Sequence, residues 1–271
     1  MLAGVHAPVT INFHPDRLVA DGSETVLGRL AHDGVWRSQF ETGTSNGGLT
    51  AHEGGDRWRW EQRMFGGRYD AAPAHERPRY GALNHRRRPA GGAVRFGSAH
   101  LRLRAHVLER TTFCYPDSVF EPEHVAAADP APLVALAEAD TARGVHDVLD
   151  DYVEAQVHGP VRLADDVEAL VLDPCYLHTP VADAADALGV PVEWHHGFRL
   201  HVDELATRPA YRGPRIVDVA RAVTARHAPD GWLDARRVGD ALRAGVHDPQ
   251  DLKKVWHHVA RWGAPAARRS G

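Results

Sequence analysis

Residues Tyr152–Val161 read Tyr-Val-Glu-Ala-Gln-Val-His-Gly-Pro-Val, an unbroken alternation of apolar and polar side chains closed by Gly-Pro. Side chains that alternate with period two belong on a strand, where successive residues point to opposite faces. One face then holds Val153, Ala155 and Val157, and the other holds Tyr152, Glu154, Gln156 and His158. Pro160 cannot donate to a ladder and ends the strand. A phenol, a carboxylate, an amide and an imidazole in one row either look at water, as on any half-buried strand, or wall a cleft.

A second stretch has the same character. Val9, Ile11 and Phe13 alternate with Thr10, Asn12 and His14, and Pro15-Asp16-Arg17 turns the chain away. A sheet can set this strand beside the first, with His14 and Glu154 over one cleft. The only asparagines are Asn12, Asn46 and Asn84, and each falls in a segment singled out on other grounds.

Between them lies Glu41-Thr-Gly-Thr-Ser-Asn-Gly-Gly48. Its glycines and small polar side chains let backbone N–H groups crowd around a ligand. It has neither the Gly-Lys-Ser/Thr of a phosphate-binding P-loop nor a Gly-x-Gly-x-x-Gly fingerprint. A ligand-holding loop and a plain glycine-rich hairpin both fit it.

The rest of the chain supports an α+β fold: a twisted mixed or antiparallel sheet with a central cleft, followed by a small helical C-terminal part. Strands are expected at Val35–Phe40, Val94–Leu103, Val107–Phe113 and Asp166–Asp173, and helices at Thr25–His32, within Glu121–Gly144 and at Val181–Leu188. Trp58, Trp60, Met64 and Phe65 read as packing residues. After Glu204, helical periodicity marks Ile216–His227, Asp234–Ala244 and Gln250–Trp262, with Val255, Val259 and Trp262 inward. The expected division is an α+β domain at 1–205, a helical subdomain at 206–263 and a disordered tail at 264–271.

At 271 residues, 43% hydrophobic and 25% charged, the chain has room for one large domain or two modest ones. The net charge of −4 and the lack of interleaved aromatics leave the basic run Arg86–Arg88 as a solvated face, with little support for nucleic-acid binding. Cys114 and Cys175 are isolated, which suits buried residues or free thiols in a reducing compartment. The N-terminus shows no basic and apolar leader pattern, and no apolar run reaches membrane-spanning length, so a cytoplasmic protein without a membrane partner is expected.

A carboxylate beside a histidine suits acid–base catalysis, cleavage of a glycosidic bond through a cationic sugar, or metal binding. A serine triad is a poor fit: Gly-x-Ser-x-Gly is absent, and Ser118 sits in a Tyr-Pro-Asp-Ser turn. His14, Asp16, His158, His195, His196 and His201 could supply metal ligands, but their spacing matches no zinc motif, so no metal site is expected. A metal-dependent hydrolase or nuclease remains an alternative, as does a non-catalytic ligand-binding or interaction module.

From about residue 9 to 205 the chain resembles a bacterial family of unknown function. The likeness rests on Asn12-Phe-His-Pro-Asp-Arg, Phe40-Glu-Thr-Gly-x-Ser-Asn-Gly-Gly, Tyr80-Gly-Ala-Leu-Asn and Glu154-Ala-Gln-Val-His-Gly. The order of His14, then Thr42-Gly-Thr-Ser45 or Tyr80-Gly81, then Glu154-Ala-Gln156 is similar, more distantly, to the ADP-ribosyltransferase superfamily. That resemblance implies NAD as substrate, used for ADP-ribosyl transfer or NAD glycohydrolysis.

In the superfamily the histidine binds ribose hydroxyls, the aromatic residue stacks on nicotinamide, and the glutamate holds the ribose 2′-OH to stabilise the oxocarbenium-like transition state. Carried onto this chain, Glu154, His14 and Gln156 would be catalytic. His14, Asn12, Thr44, Ser45, Asn46, Gly47, Tyr80 and Gly81 would bind the dinucleotide. The chain departs from the pattern in its triplet, where Glu154 precedes Gln156 although the superfamily places its catalytic glutamate second. The resemblance also implies an acceptor (protein, nucleic acid or small molecule) and, for an NAD-consuming toxin, an antitoxin or immunity partner.

Overall fold

The computed structural model describes residues 7–43 and 50–265. The chain enters on β1 (Val9–Phe13) and turns at Pro15-Asp16 toward α1 (Val26–Asp33). Thr25 Oγ1 caps α1 by accepting the Gly28 N–H at 3.0 Å, and Gly34 closes it in the left-handed region at φ 65°. Next come β2 (Val35–Trp36) and a single helical turn, α2 (Gln39–Thr42). The strand expected to reach Phe40 therefore stops at Trp36. Ser38 and Glu41 form a capping box there, with the Glu41 N–H donating to Ser38 Oγ at 3.2 Å and the Ser38 N–H to Glu41 Oε2 at 2.7 Å. Helix α3 (Asp56–Met64) was not anticipated as a helix and buries Arg57, Trp60 and Glu61.

Four strands follow: β3 (Arg79–Leu83), β4 (Ala99–Leu103), β5 (Thr111–Tyr115) and β6 (His124–Ala126). Then come α4 (Ala131–Arg143) and β7 (Val153–Val157), the alternating stretch. Both β4 and β5 start later than the hydrophobic pattern suggests, because 3-10 turns occupy Val94–Phe96 and Ala105–Arg110. The β5–β7 ladder begins at Thr111 opposite Val157, so residues before Thr111 have no strand to pair with. Residues 90–97 are drawn across the sheet face by the side chain of Asn12, described below.

The chain continues through β8 (Val161–Arg162), α5 (Leu163–Asp166), β9 (Val167–Leu172), α6 (Pro180–Asp186), β10 (Val192–Trp194), β11 (Leu200–His201) and α7 (Val202–Ala206). It ends with α8 (Arg215–His227), β12 (Trp232–Leu233), α9 (Ala235–Arg243) and α10 (Pro249–Trp262). The C-terminal helices fall where the periodicity placed them. Trp256 is the tryptophan of α10 in the core, at 0% exposed, whereas Trp262, expected inward, is half-buried. Ala264, the first residue of the expected tail, is bridged to Arg199 by two 2.9 Å backbone hydrogen bonds, and residues 266–271 lie outside the described ones.

Eight strands form one sheet in the order β10-β9-β4-β1-β3-β7-β5-β6. Only the β10–β9 pair is parallel, so the sheet is mixed and the fold is α+β. Residues directly opposite in a ladder share a face. His100 lies opposite Asn12, Glu154 lies between Ala82 and Cys114, and Gln156 lies between Tyr80 and Thr112. This sheet face is polar. The other carries Val9, Ile11, Phe13, Leu101, Val153, Ala155 and Phe113, all part of an apolar core that also includes Ile216, Val255 and Trp256 from α8 and α10.

The sheet splits at its centre. β1 pairs with β3 at Val9–Leu83 and Thr10–Ala82. Beyond that point β1 stays laddered to β4 as far as Phe13, and β3 stays laddered to β7 as far as Arg79. The two strands diverge like the tines of a fork, and the gap between them is the candidate site.

Candidate functional site in the fork between two central strands

A cavity of about 280 Å3 fills the fork. From β1 and its extension it is lined by Ile11, Asn12, Phe13 and His14, and from β3 by Arg79, Tyr80 and Gly81. Glu154, Tyr152, Arg57 and Asp117 line it as well. At the fork itself a side chain on Gly81 would come within 2.5 Å of the Thr10 carbonyl oxygen, so glycine permits the close approach of the strands.

Glu154 is 4% exposed and held from several directions. Ser118 Oγ donates to its Oε2 at 2.8 Å, with the Ser118 N–H at 3.3 Å, and Gln156 Nε2 donates to Oε1 at 3.0 Å. Arg57 Nη1 donates in turn to Ser118 Oγ at 2.9 Å. Burial pushes the Glu154 carboxyl up to about 7, aided by the charge of Asp117 and opposed by Arg57 and the hydrogen bonds from Gln156 and Ser118. A carboxyl titrating near neutrality can serve as a hydrogen-bonding anion or take up a proton.

Behind Glu154 the polar row of β7 continues as a one-way chain of donors. Thr112 Oγ1 donates to Gln156 Oε1 at 2.9 Å, and His158 Nε2 lies 3.1 Å from Thr112 Oγ1. Since the Thr112 hydrogen is engaged, His158 Nε2 carries the proton and its Nδ1 accepts from Tyr69 OH at 2.6 Å. Burial and the nearby Arg68 and Arg110 push His158 down to about 4, which keeps it neutral for this role. Every member donates toward Glu154. The row that could have faced water is instead buried through Gln156 and ends in the cleft.

On the other side of the fork His14 is pushed down to about 3, by burial first and then by Arg17 and Lys253. It is a neutral imidazole at physiological pH. Its ring packs edge-on against Trp256 of α10, with centroids 5.3 Å apart.

The residues expected to form the site meet different fates. His14, Asn12, Tyr80, Gly81 and Glu154 all line the one cavity. Gln156, 0% exposed, stands behind Glu154 and positions it. Asn12 is engaged structurally: its Nδ2 donates to the carbonyls of Ala90 at 2.8 Å and Gly97 at 3.2 Å, and its Oδ1 accepts the Ala93 N–H at 3.2 Å. Tyr80 donates its hydroxyl to Glu61 at 2.6 Å, and the Arg57 guanidinium lies 3.9 Å from its ring centroid. One ring face expected for stacking is therefore taken by a cation. Thr44, Ser45, Asn46 and Gly47 lie outside the described residues.

Arg57, Asp117, Ser118 and Tyr152 are equally part of the site. Tyr152 OH donates to Asp117, which also accepts the Val119 N–H at 2.8 Å and lies 3.8 Å from Arg95 Nη1. Tyr152 belonged to the alternating row and Ser118 to a noted polar turn. Arg57 reaches Ser118 from 61 residues away and carries no local signal.

Among the described residues, no group of three or more His, Cys, Asp or Glu side chains is placed to hold a metal ion, and no helix is long and apolar enough to cross a membrane. A family model described as a protein of unknown function, DUF3626, matches residues 8–139 and 131–262. No curated protein matches the chain.

Proposed function

The chain belongs to the DUF3626 family, and we propose that its forked cleft binds NAD and breaks the bond between nicotinamide and ribose, passing ADP-ribose to an acceptor or to water. The observation that carries this reading is the meeting of His14 and Glu154, from the two sides of the fork, in one cavity. At about 280 Å3 that cavity lies at the small end of ligand pockets and suits one nucleoside half rather than a whole dinucleotide.

In the proposed step the C1′–N bond breaks, nicotinamide leaves with the bonding pair, and positive charge develops on the ribose ring. Glu154, as carboxylate, accepts a hydrogen bond from the 2′-OH and stabilises that charge in a site shielded from water. Neutral His14 has one ring N–H to donate and one nitrogen to accept, which suits a ribose diol without setting a second cation beside the oxocarbenium. Water or an acceptor nucleophile then bonds to C1′, and its proton passes to Glu154, whose raised pKa makes it a competent base near neutrality.

The test is incubation of the full chain with NAD, read as free nicotinamide. Wild type should release it, and Glu154→Gln should be slower by about 10²–10³-fold, the range for losing a stabiliser of transition-state charge. Absence of release by wild type, or equal release by the two proteins, would remove this reading. Binding of NAD without turnover would then mark the cleft as a recognition site.

A further inference from the structure

The residues ahead of β7, Asp147-Val-Leu-Asp-Asp151, place three carboxylates at the threshold of its polar row. Each is engaged. Asp151 accepts from Tyr115 OH at 3.1 Å and pairs with Arg86 at 3.1 Å. Asp147 pairs with Arg261 of α10 and accepts from Tyr211 OH at 3.3 Å. Asp150 pairs with Arg95, and with Arg212, just ahead of α8, at 3.2 Å. The helical C-terminal part thus grips the lead into β7 through two arginines.

Arg95 itself lies in the turn at Val94–Phe96, and α10 holds that turn too, since Trp256 Nε1 donates to the Val94 carbonyl at 3.0 Å. With its backbone neighbour fixed by Trp256 and its guanidinium by Asp150, Arg95 sets Nη1 3.8 Å from Asp117 Oδ2. That is a contact of charges rather than a hydrogen bond. The Arg95 side chain is 11% exposed and that of Asp117 6%, so water screens the pair little. Lys253 of α10 stands near both, and buried His257, pushed down to about 2 by burial first, is neutral beside them. Asp117 in turn bears on Glu154. Ser118 Oγ donates to Glu154 Oε2 at 2.8 Å and lies 3.4 Å from Asp117 Oδ1, so one hydroxyl spans the two carboxyls. Cys114 and Gln156 in the sheet, Arg57 from α3 and the phenols of Tyr80 and Tyr152 also face Glu154. Among these neighbours Arg57 favours the charged carboxyl, and Asp117 opposes it.

We propose that Arg95 is a positioning residue for the cleft: held by the C-terminal part, it anchors and offsets the Asp117 carboxylate, and through Asp117 it governs the charge of Glu154. The helices after Glu204 thereby reach both sides of the fork, His14 through Trp256 and Glu154 through Arg95. The bearing on rate rests on the NAD reading, whereas the effect on Glu154 itself needs no nucleotide.

The experiment is a pH titration, followed by NMR, of the full chain carrying glutamate labelled with carbon-13 at its carboxyl. The Glu154 signal is the one absent from Glu154→Gln. Arg95→Met should raise its midpoint by about one pH unit, and Asp117→Asn should lower it by a similar amount. Arg95→Lys, which keeps the charge, should stay close to wild type. In the Asp117→Asn background Arg95→Met should move the midpoint far less than in wild type, because the residue it acts through is gone. An unmoved midpoint in either single variant overturns the proposal. So do equal shifts in the two backgrounds, since Arg95 would then act on Glu154 as a plain distant charge. The Asp117→Asn arm leaves Arg95 untouched, so a poorly folding Arg95→Met still leaves the proposal open to refutation. Nicotinamide release over the same pH range completes the test, and its ascending limb should move with the NMR midpoint in Arg95→Met. Shifted midpoints in a protein that releases no nicotinamide keep the positioning role and remove the NAD reading. Glu154-dependent release with unmoved midpoints does the reverse.

Discussion

Gln156 Nε2 donates to Glu154 Oε1 at 3.0 Å, so two residues of one strand face hold each other, Glu154 at the cleft and Gln156 buried behind it. This bond favours the ionised carboxyl and partly offsets the burial that pushes Glu154 up to about 7. In Gln156→Leu that support is lost and Glu154 should ionise at still higher pH. The rate of nicotinamide release, which needs the carboxylate, should rise through about pH 7 in wild type and through a higher pH in the variant. An ascending limb at the same pH in both proteins would show that Gln156 does not tune Glu154.

Glu154 also fixes a sign for stability. Its carboxyl titrates near 4.5 when unfolded and near 7 when folded, so the folded state binds the extra proton between these values. Stability from this group is present below about pH 4.5 and is lost as pH rises through 7. Glu154→Gln, which cannot ionise, should gain on wild type across that interval by something on the order of 2–3 kcal/mol. Urea unfolding at pH 5 and pH 8 checks this; a difference that stays constant or reverses would contradict it.

The buried histidines act in the other direction. His14, His100, His158, His195 and His257 are all pushed well below 6.5, with burial the leading cause in each. Each stays neutral in the fold but takes up a proton on unfolding once pH falls below 6.5, so its stabilisation is lost as pH drops. Glu154, Asp173, the latter raised to about 6, and Asp16, Glu61 and Asp234, also raised by burial, act in the opposite sense over part of the range. With His85 and His258, also lowered by burial, the histidines are the more numerous. Stability should fall from pH 7 to pH 5 with net proton uptake on unfolding, and a flat or rising stability curve over that interval would be incompatible with these burials.

Asn12→Ala removes the three hydrogen bonds that pin residues 90–97 over the polar sheet face and leaves their backbone groups without that partner. A loss of about 2–3 kcal/mol in urea unfolding is expected, with a weaker grip on NAD because Ala93 and Phe96 line the cleft. Gly97→Ala should be more damaging. Its Cβ would sit 1.9 Å from the Phe13 carbonyl carbon, at a backbone φ of 154°. Equal stability of Asn12→Ala and wild type would remove the pinning role.

Much of the scaffold could be read from the chain because it follows local periodicity. The alternation at Val9–Phe13 and Val153–Val157 gave strands, and the 3.6-residue spacing after Arg215 gave three helices. The strand misplaced at Val35–Phe40 shows a capping box overriding apolar pattern. The late start of β5 shows that a strand lasts only as long as its neighbour. Within the site, His14 and Glu154 stood out because each occupies the polar face of an alternating strand. Arg57 did not, since its meaning comes from Ser118 and Tyr80, which only the folded chain brings near. Asn12 stands on the polar face of its strand, and its amide is engaged by the backbone of Ala90, Ala93 and Gly97, which no local pattern places beside it.

The fork has a mechanical consequence. Two residue pairs, Val9–Leu83 and Thr10–Ala82, are the ladder joining the two halves of the eight-stranded sheet. One half carries His14 and the other carries Glu154. Any scissoring of the halves about that short joint changes the span between these two side chains while leaving every other ladder intact. The place where the sheet is least stitched is thus also the pivot that sets the gauge of the cleft, so a bulkier residue at Gly81 or Ala82 would act on ligand fit by altering the angle of the blades.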